Sequence, residues 1–300
     1  MIAKMYDVLR RHKGKNEYLL IYRMIKLFLI VFYPCIAWFG RKRKKEEVAN
    51  VILSLTTFPA RIGKVHVTIE TLLRQTRSPE KIILWLAESQ FPDRKIPRAL
   101  KRQQKRGLEI HYCDDLRSHK KYYYAMKKYP DKMIITVDDD TYYPENLVEQ
   151  LLVTHEKFPD CVCCMLAHGI VLKEGEVEPY ASWRADADEI REASHLLMPV
   201  GCEGVLYPPH SLDERVFSRE DIAQLCPRAD DLWLKAMATL AGTKTVQCNA
   251  VSVTFANQMI AGKESLNSVN VAQGENDRQL RNILGKYPQI LDVWNQAKEN

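Results

Sequence analysis

Apolar runs of strand length alternate with helical-period segments along most of this chain. Val51-Ile52-Leu53-Ser54-Leu55 reads as a buried strand, ending in Thr56-Thr57-Phe58-Pro59, where Pro59 cannot donate to a ladder. Val65, Ile69, Leu72 and Leu73 follow at helical spacing, closed by Arg77-Ser78-Pro79. Lys81 to Leu86 is the next strand, Pro97 to Arg106 a basic helix closed by Gly107, and Leu108 to Tyr112 a short strand. Tyr122 to Tyr129 reads as a helix ended by Pro130, and Met133 to Val137 as a further apolar strand. This alternation predicts an α/β domain with a mostly parallel mixed sheet and helices on both faces.

Beyond Pro144, Glu145 to Phe158 reads as a helix with Leu147, Leu151 and His155 on one face. Residues 161–172 look like strand, and 173–200 like a polar, irregular segment. Ser218 followed by Asp221 resembles a capped helix start. Asp230 to Leu240 is a strong helix, buried along Leu232, Ala236 and Leu240. The polar stretch 267–277 reads as a loop able to close over a ligand, before a final helix from Asp277 to Leu284.

The first 47 residues differ in character. Leu19 to Phe39 is apolar but broken by Arg23 and Lys26, and its clean part, Leu27 to Phe39, is shorter than the roughly 20 residues a spanning helix needs. Tyr22, Tyr33 and Trp38 sit where an interfacial helix wants aromatics, and no small-x-small cleavage site follows. The expectation is a basic, membrane-associating arm over 1–47, peripheral on the cytoplasmic leaflet, and a catalytic domain over 48–300. The rival is a helix packed on that domain.

Charge supports this division. Of the formal net charge of +6, residues 1–47 carry +8, from twelve Lys/Arg and four Asp/Glu, which leaves the body slightly acidic. A nucleic-acid enzyme would place its basic patch on the folded body, so no nucleic-acid partner is expected. The eight cysteines form no C-x-x-C pair, and Cys161, Cys163 and Cys164 alternate as in a buried strand, a poor zinc arrangement. They read as reduced, buried thiols of a cytosolic protein.

Asp138-Asp139-Asp140 begins as an apolar strand ends, where α/β sheets bind ligands. Three adjacent carboxylates repel one another unless a cation intervenes, and hard oxygen donors suit Mn²⁺ or Mg²⁺. Strand geometry turns Asp138 and Asp140 to one side and Asp139 to the other. Asp140 is then expected as the direct metal ligand, with Asp138 on the metal, its bound water or a nucleotide ribose. His168 is a further candidate ligand, and His195 and His210 weaker ones.

Several segments carry a resemblance: Ser54-Leu55-Thr56-Thr57-Phe58-Pro59-Ala60-Arg61, Lys120-Lys121-Tyr122, and Ile135 to Asp140 with Tyr143-Pro144. Gly201-Cys202-Glu203-Gly204-Val205-Leu206-Tyr207-Pro208-Pro209 and Cys226 to Trp233 complete the set. Together they resemble the inverting family 2 and related bacterial polysaccharide glycosyltransferases. That resemblance implies a single Rossmann-like nucleotide-sugar-binding domain of the A-type glycosyltransferase fold and a nucleotide diphosphate sugar donor, UDP-sugar favoured. It further implies a glycan or lipid-linked acceptor in surface polysaccharide synthesis. It places Thr56, Pro59 and Arg61 at the nucleotide base with Asp115 or Asp114 nearby, Lys120 at the phosphates, and Asp138 and Asp139 on the donor. Asp231, or its neighbour Asp230, would be the general base at a helix N-terminus. Gly204, and Glu203 where relatives often have a second glycine, would meet the sugars; Trp233, one turn into the helix, reads as core or as a platform that stacks on the acceptor. A nucleotidyltransferase would need a glycine-rich basic loop where this chain has Thr-Thr-Phe-Pro-Ala-Arg; a non-catalytic scaffold would bind metal and nucleotide without turnover.

Overall fold

The computed structural model describes residues 1–38, 47–185, 187, 190, 192–248 and 274–299. In chain order the elements are α1 (Ile2–His12), α2 (Tyr18–Trp38), β1 (Glu47–Thr56), α3 (Val65–Leu72), β2 (Ser78–Ala87), α4 (Arg98–Gln104), β3 (Leu108–Cys113), α5 (Lys120–Lys128), β4 (Met133–Thr136) and α6 (Leu147–Lys157). Then come β5 (Val162–Cys164), β6 (Ala167–Gly169), β7 (Leu172–Lys173), β8 (Glu176–Val177), β9 (Leu197–Pro199), β10 (Val205–Tyr207), α7 (Arg219–Leu225), α8 (Asp230–Leu240), β11 (Thr245–Gln247), α9 (Glu275–Lys286) and α10 (Gln289–Glu299).

A seven-stranded sheet runs β11-β5-β10-β4-β1-β2-β3. Its pairs are parallel except those of β10, which lies antiparallel between β4 and β5. This is the expected mostly parallel, mixed α/β sheet. Its central strands, buried on both faces, show near-continuous apolar runs, as Val51, Ile52, Leu53 and Leu55 of β1 do, all at 0 % exposure. β1 pairs with β2 on one side and β4 on the other, Ser54 facing Thr136 at the carboxyl end. The chain therefore reverses its direction of sheet growth between β1 and β4.

The later half departs from the reading in places. Residues 161–172 are not one strand: after β5 the Ala167 N–H donates to the Gln247 side chain, and β6 leaves to pair with β9. Both positions are buried, so the apolar pattern alone could not separate them. The stretch expected to be irregular holds β9 and a β7–β8 hairpin, whose turn uses positive φ at Glu174 and Gly175. Ser218 caps α7 through the Asp221 N–H, and α8 has the predicted bounds. A last helix, α10, had no counterpart in the reading; Trp294 anchors it, its indole N–H donating to Thr239 Oγ1 at 3.1 Å. Cys163 and Cys164 point to opposite sides of β5 into separate cores, and burial pushes both thiols up.

The N-terminal helices pack against the body. Ile2, Tyr6 and Leu9 of α1, with Leu29 and Tyr33 of α2, belong to the same core cluster as β1, α3 and α6. Glu145 accepts from the Ile2 and Ala3 N–H groups at 3.0 and 2.8 Å, and Tyr6 donates to the Tyr142 carbonyl at 2.9 Å. Contrary to the estimate from the clean stretch alone, α2 is one helix of 21 residues with Pro34 inside it. Arg23 and Lys26 do not break it, and by length and composition Tyr18–Ile36 suffices to cross a membrane.

Candidate active site

The switch between β1 and β4 opens a crevice at the carboxyl ends of the strands, the place where such sheets bind ligands. The segment after β1 brings Thr57 and Arg61 to it, and the segment after β4 brings the three aspartates.

Asp139 turns inward on the bend that follows β4. Thr57 Oγ1 donates to its Oδ2 and Arg61 to its Oδ1, at 2.5 and 2.7 Å, while Thr68 Oγ1 donates to its carbonyl. With both oxygens engaged and the residue 5 % exposed, Asp139 positions the turn. Arg61 also reaches Asp140 Oδ2 at 2.9 Å, so its guanidinium neutralises two carboxylates. Asp140 is pushed up to about 6 by burial, then by the charge of Asp138. Asp138 Oδ1 lies 2.7 Å from Lys121 Nζ. Two protein cations thus answer the repulsion that the sequence argument gave to a metal alone.

Lys121, absent from the predicted set, joins two parts of the site. Its buried ammonium also meets Asp230 Oδ2 at 2.9 Å, at the start of α8. Burial pushes Asp230 up, but the charges of Lys121 and His119 and the hydrogen bonds from Lys121 and Ser118 together outweigh it, and the carboxyl ends below its ordinary value. Its neighbour Asp231 is pushed up to about 7, by burial and then by the Asp230 charge. The pair thereby divides its labour: Asp230 holds the charge and Asp231 is poised to gain or lose a proton near neutrality.

Asp231 is held by the turn at 201–203. The Gly201 N–H donates to its Oδ2 at 3.0 Å, and Oδ1 has no hydrogen-bond partner among the described residues. A Cβ on Gly201 would lie 2.1 Å from Oδ1, so only glycine permits this approach. Tyr143 ties the same turn to the aspartates, accepting from the Asp138 N–H at 2.9 Å and donating to the Cys202 carbonyl at 2.7 Å. Gly201→Ala is expected to swing the Asp231 carboxylate aside, which a crystal structure of the variant would show. An alanine variant whose carboxylate keeps its place would remove the positioning role.

The remaining predicted residues divide. Thr56 Oγ1 donates to the Trp85 carbonyl at 2.9 Å, and Pro59 is exposed on the segment after β1. Asp115 follows β3 and accepts from Gln90, the Arg117 N–H and Lys120. Lys120 pairs with Asp115 and is 2 % exposed. Asp114 pairs with Arg219 at 2.9 Å on the surface. Glu203 is 1 % exposed and lies close enough to Tyr143 for its charge to act on that phenol. Gly204 is also buried; its φ of 102° and the Leu147 methyl 3.0 Å from any Cβ explain the glycine structurally. The Trp233 ring is fully buried and its N–H donates to the Val216 carbonyl, which is the core arrangement of its two readings. His168 contacts Tyr180 Oη at 3.3 Å, His195 is half-buried, and His210 lies 3.4 Å from Asp131 on the surface. Residues 267–273 of the expected loop lie outside the described residues.

Among the described residues no group of three or more His, Cys, Asp and Glu is arranged to hold a metal. Asp138 and Asp140 nevertheless offer a fitting donor set for a cation that shares its coordination with phosphates and water, as Mg²⁺ does. Two partly exposed carboxylates, one raised by the other, gain from such a charge.

No family model and no curated protein matches the chain. Similar solved structures include the mannosyltransferase PcManGT from Pyrobaculum calidifontis in complex with GDP-Man and Mn²⁺, at 12 % identity and TM-score 0.45, over 93 % of this chain and 84 % of that one. S. aureus TarS 1–349 in complex with UDP-GlcNAc is similar at 12 % identity and TM-score 0.46, over 82 % of this chain and 71 % of that one.

Proposed function

We propose that this protein is a glycosyltransferase that moves a sugar from a nucleotide diphosphate sugar, UDP-sugar favoured, to a glycan or lipid-linked acceptor. The supporting observation is the Lys121 bridge, which links the carboxylate Asp138 at the switch-point crevice to the acidic pair at the start of α8. Donor-side and proton-accepting groups thereby form one constellation.

In this reading Asp138 and Asp140 hold Mn²⁺ or Mg²⁺, which when bound would neutralise the departing nucleotide diphosphate. Asp231, fixed through Oδ2, takes the acceptor hydroxyl proton on Oδ1. The acceptor oxygen forms a bond to the anomeric carbon as the bond from that carbon to phosphate oxygen breaks, which inverts the centre. Lys121 keeps Asp230 ionised, so that proton demand falls on Asp231. The proposed working place is the cytoplasmic face of the cell membrane, and the proposed pathway is bacterial surface polysaccharide synthesis.

Calorimetric titration with UDP and GDP, each with and without Mn²⁺, tests the donor site. Metal-dependent binding that Asp140→Asn loses is the expected result and names the base. Folded protein that binds neither nucleotide under any condition would remove the reading's foundation.

A further inference from the structure

The inner face of α2 is used up on the body, through Leu29 and Tyr33, with Ile21, Ile25, Phe28 and Ile36 partly buried beside them. Its outer face is neither polar nor covered. Leu19, Leu20, Met24, Leu27, Val31 and Phe32 are each 52–64 % exposed and recur at helical spacing along it. A contiguous apolar ridge of this kind marks a contact surface, where isolated exposed leucines would need no explanation.

Charge identifies the occupant. Arg23 and Lys26 lie on the same helix, the Lys26 ammonium folded over the Tyr22 ring at 5.7 Å, and Arg10, Arg11, Lys13 and Lys15 precede it. Residues 41–45, Arg-Lys-Arg-Lys-Lys, follow in sequence. An apolar ridge framed by cations matches hydrocarbon framed by anionic headgroups. A second copy of this chain would bring the same positive charge against itself.

From this geometry we infer that α2, although long enough to span, lies in the plane of an anionic bilayer with its outer ridge in the acyl boundary. Spanning would pull Leu29 and Tyr33 from the core and break the edge-to-face contact of Tyr33 with Tyr142, whose centroids are 5.6 Å apart. The inference deepens the membrane part of the proposed function and is independent of its chemistry, so vesicle binding and nucleotide binding can fail separately.

The test is co-sedimentation of the full chain with phosphatidylglycerol vesicles, with phosphatidylcholine vesicles as the neutral control. Binding to the anionic vesicles is expected, and Leu20→Glu/Leu27→Glu should lower the partition at least about 100-fold, about tenfold for each leucine kept from hydrocarbon. Nucleotide binding and Tm should not change. A double variant that still sediments would overturn the surface assignment, as would a parent protein that ignores both vesicle types. Orientation is read by depth-dependent quenching with brominated lipids, from a fluorophore placed by Leu20→Cys, Leu27→Cys or Phe32→Cys in a Cys35→Ser background. One shallow depth at all three positions is expected; a deep middle between shallow ends would mean a spanning helix and sink the inference.

Discussion

Asp231→Asn should lower the transfer rate by about 10²- to 10⁴-fold, the range of a lost general base, while metal-dependent nucleotide binding persists. The amide keeps the shape of the side chain and an oxygen for the Gly201 N–H, so the turn at 201–203 should stand. What disappears is a group able to take a proton. Burial and the Asp230 charge raise the Asp231 carboxyl to about 7, and only its ionised form can act as base. The parent rate should therefore fall about tenfold per pH unit below that value and level off above it. Steady-state rates across this range provide the check. A variant with the parent's rate, or a parent profile flat through neutrality, would take the base role from Asp231.

Lys121→Met should destabilise the protein by about 3–5 kcal/mol, because a buried ion network loses its cation and keeps its carboxylates. The sign of the pH dependence separates this from lost packing. In the parent, Lys121 holds Asp230 below its unfolded value. Ionised Asp230 therefore contributes stability above the unfolded pKa, and the contribution is lost as pH falls through the folded one. In the variant, burial is opposed only by His119 and the Ser118 hydrogen bond, so the carboxyl rises and ionisation costs stability as pH rises. The gap between the two proteins should widen from acid to neutral pH. Urea denaturation at two pH values reads this directly, and a constant gap would assign Lys121 to packing alone.

The strands that build the crevice were legible because apolar runs bounded by Pro, Gly and Asp leave few alternatives. The aspartates were legible for the same reason: they begin where the β4 run stops. Choosing between adjacent lysines was not possible in that way. A helix turns about 100° per residue, so which of Lys120 and Lys121 meets the strand ends depends on how α5 docks. Both are buried, and only Lys121 reaches the aspartates. The two readings of Trp233 could not be separated for a related reason. α8 is buried continuously from Leu232 to Thr239 and has no open face on which an aromatic could wait for a sugar. Gly201 did have a signal, the glycines flanking Cys202 and Glu203, but its partner stands thirty residues away on another helix.

The helix that points its leucines outward also shores up the loop behind the aspartates, through Tyr33 against Tyr142, while α1 is pinned by Glu145. Trimming the chain at residue 47, the usual remedy for a sticky leader, would strip away a structural wall together with the nuisance. A well-behaved preparation is better sought by recolouring the outer ridge and leaving the inner one intact.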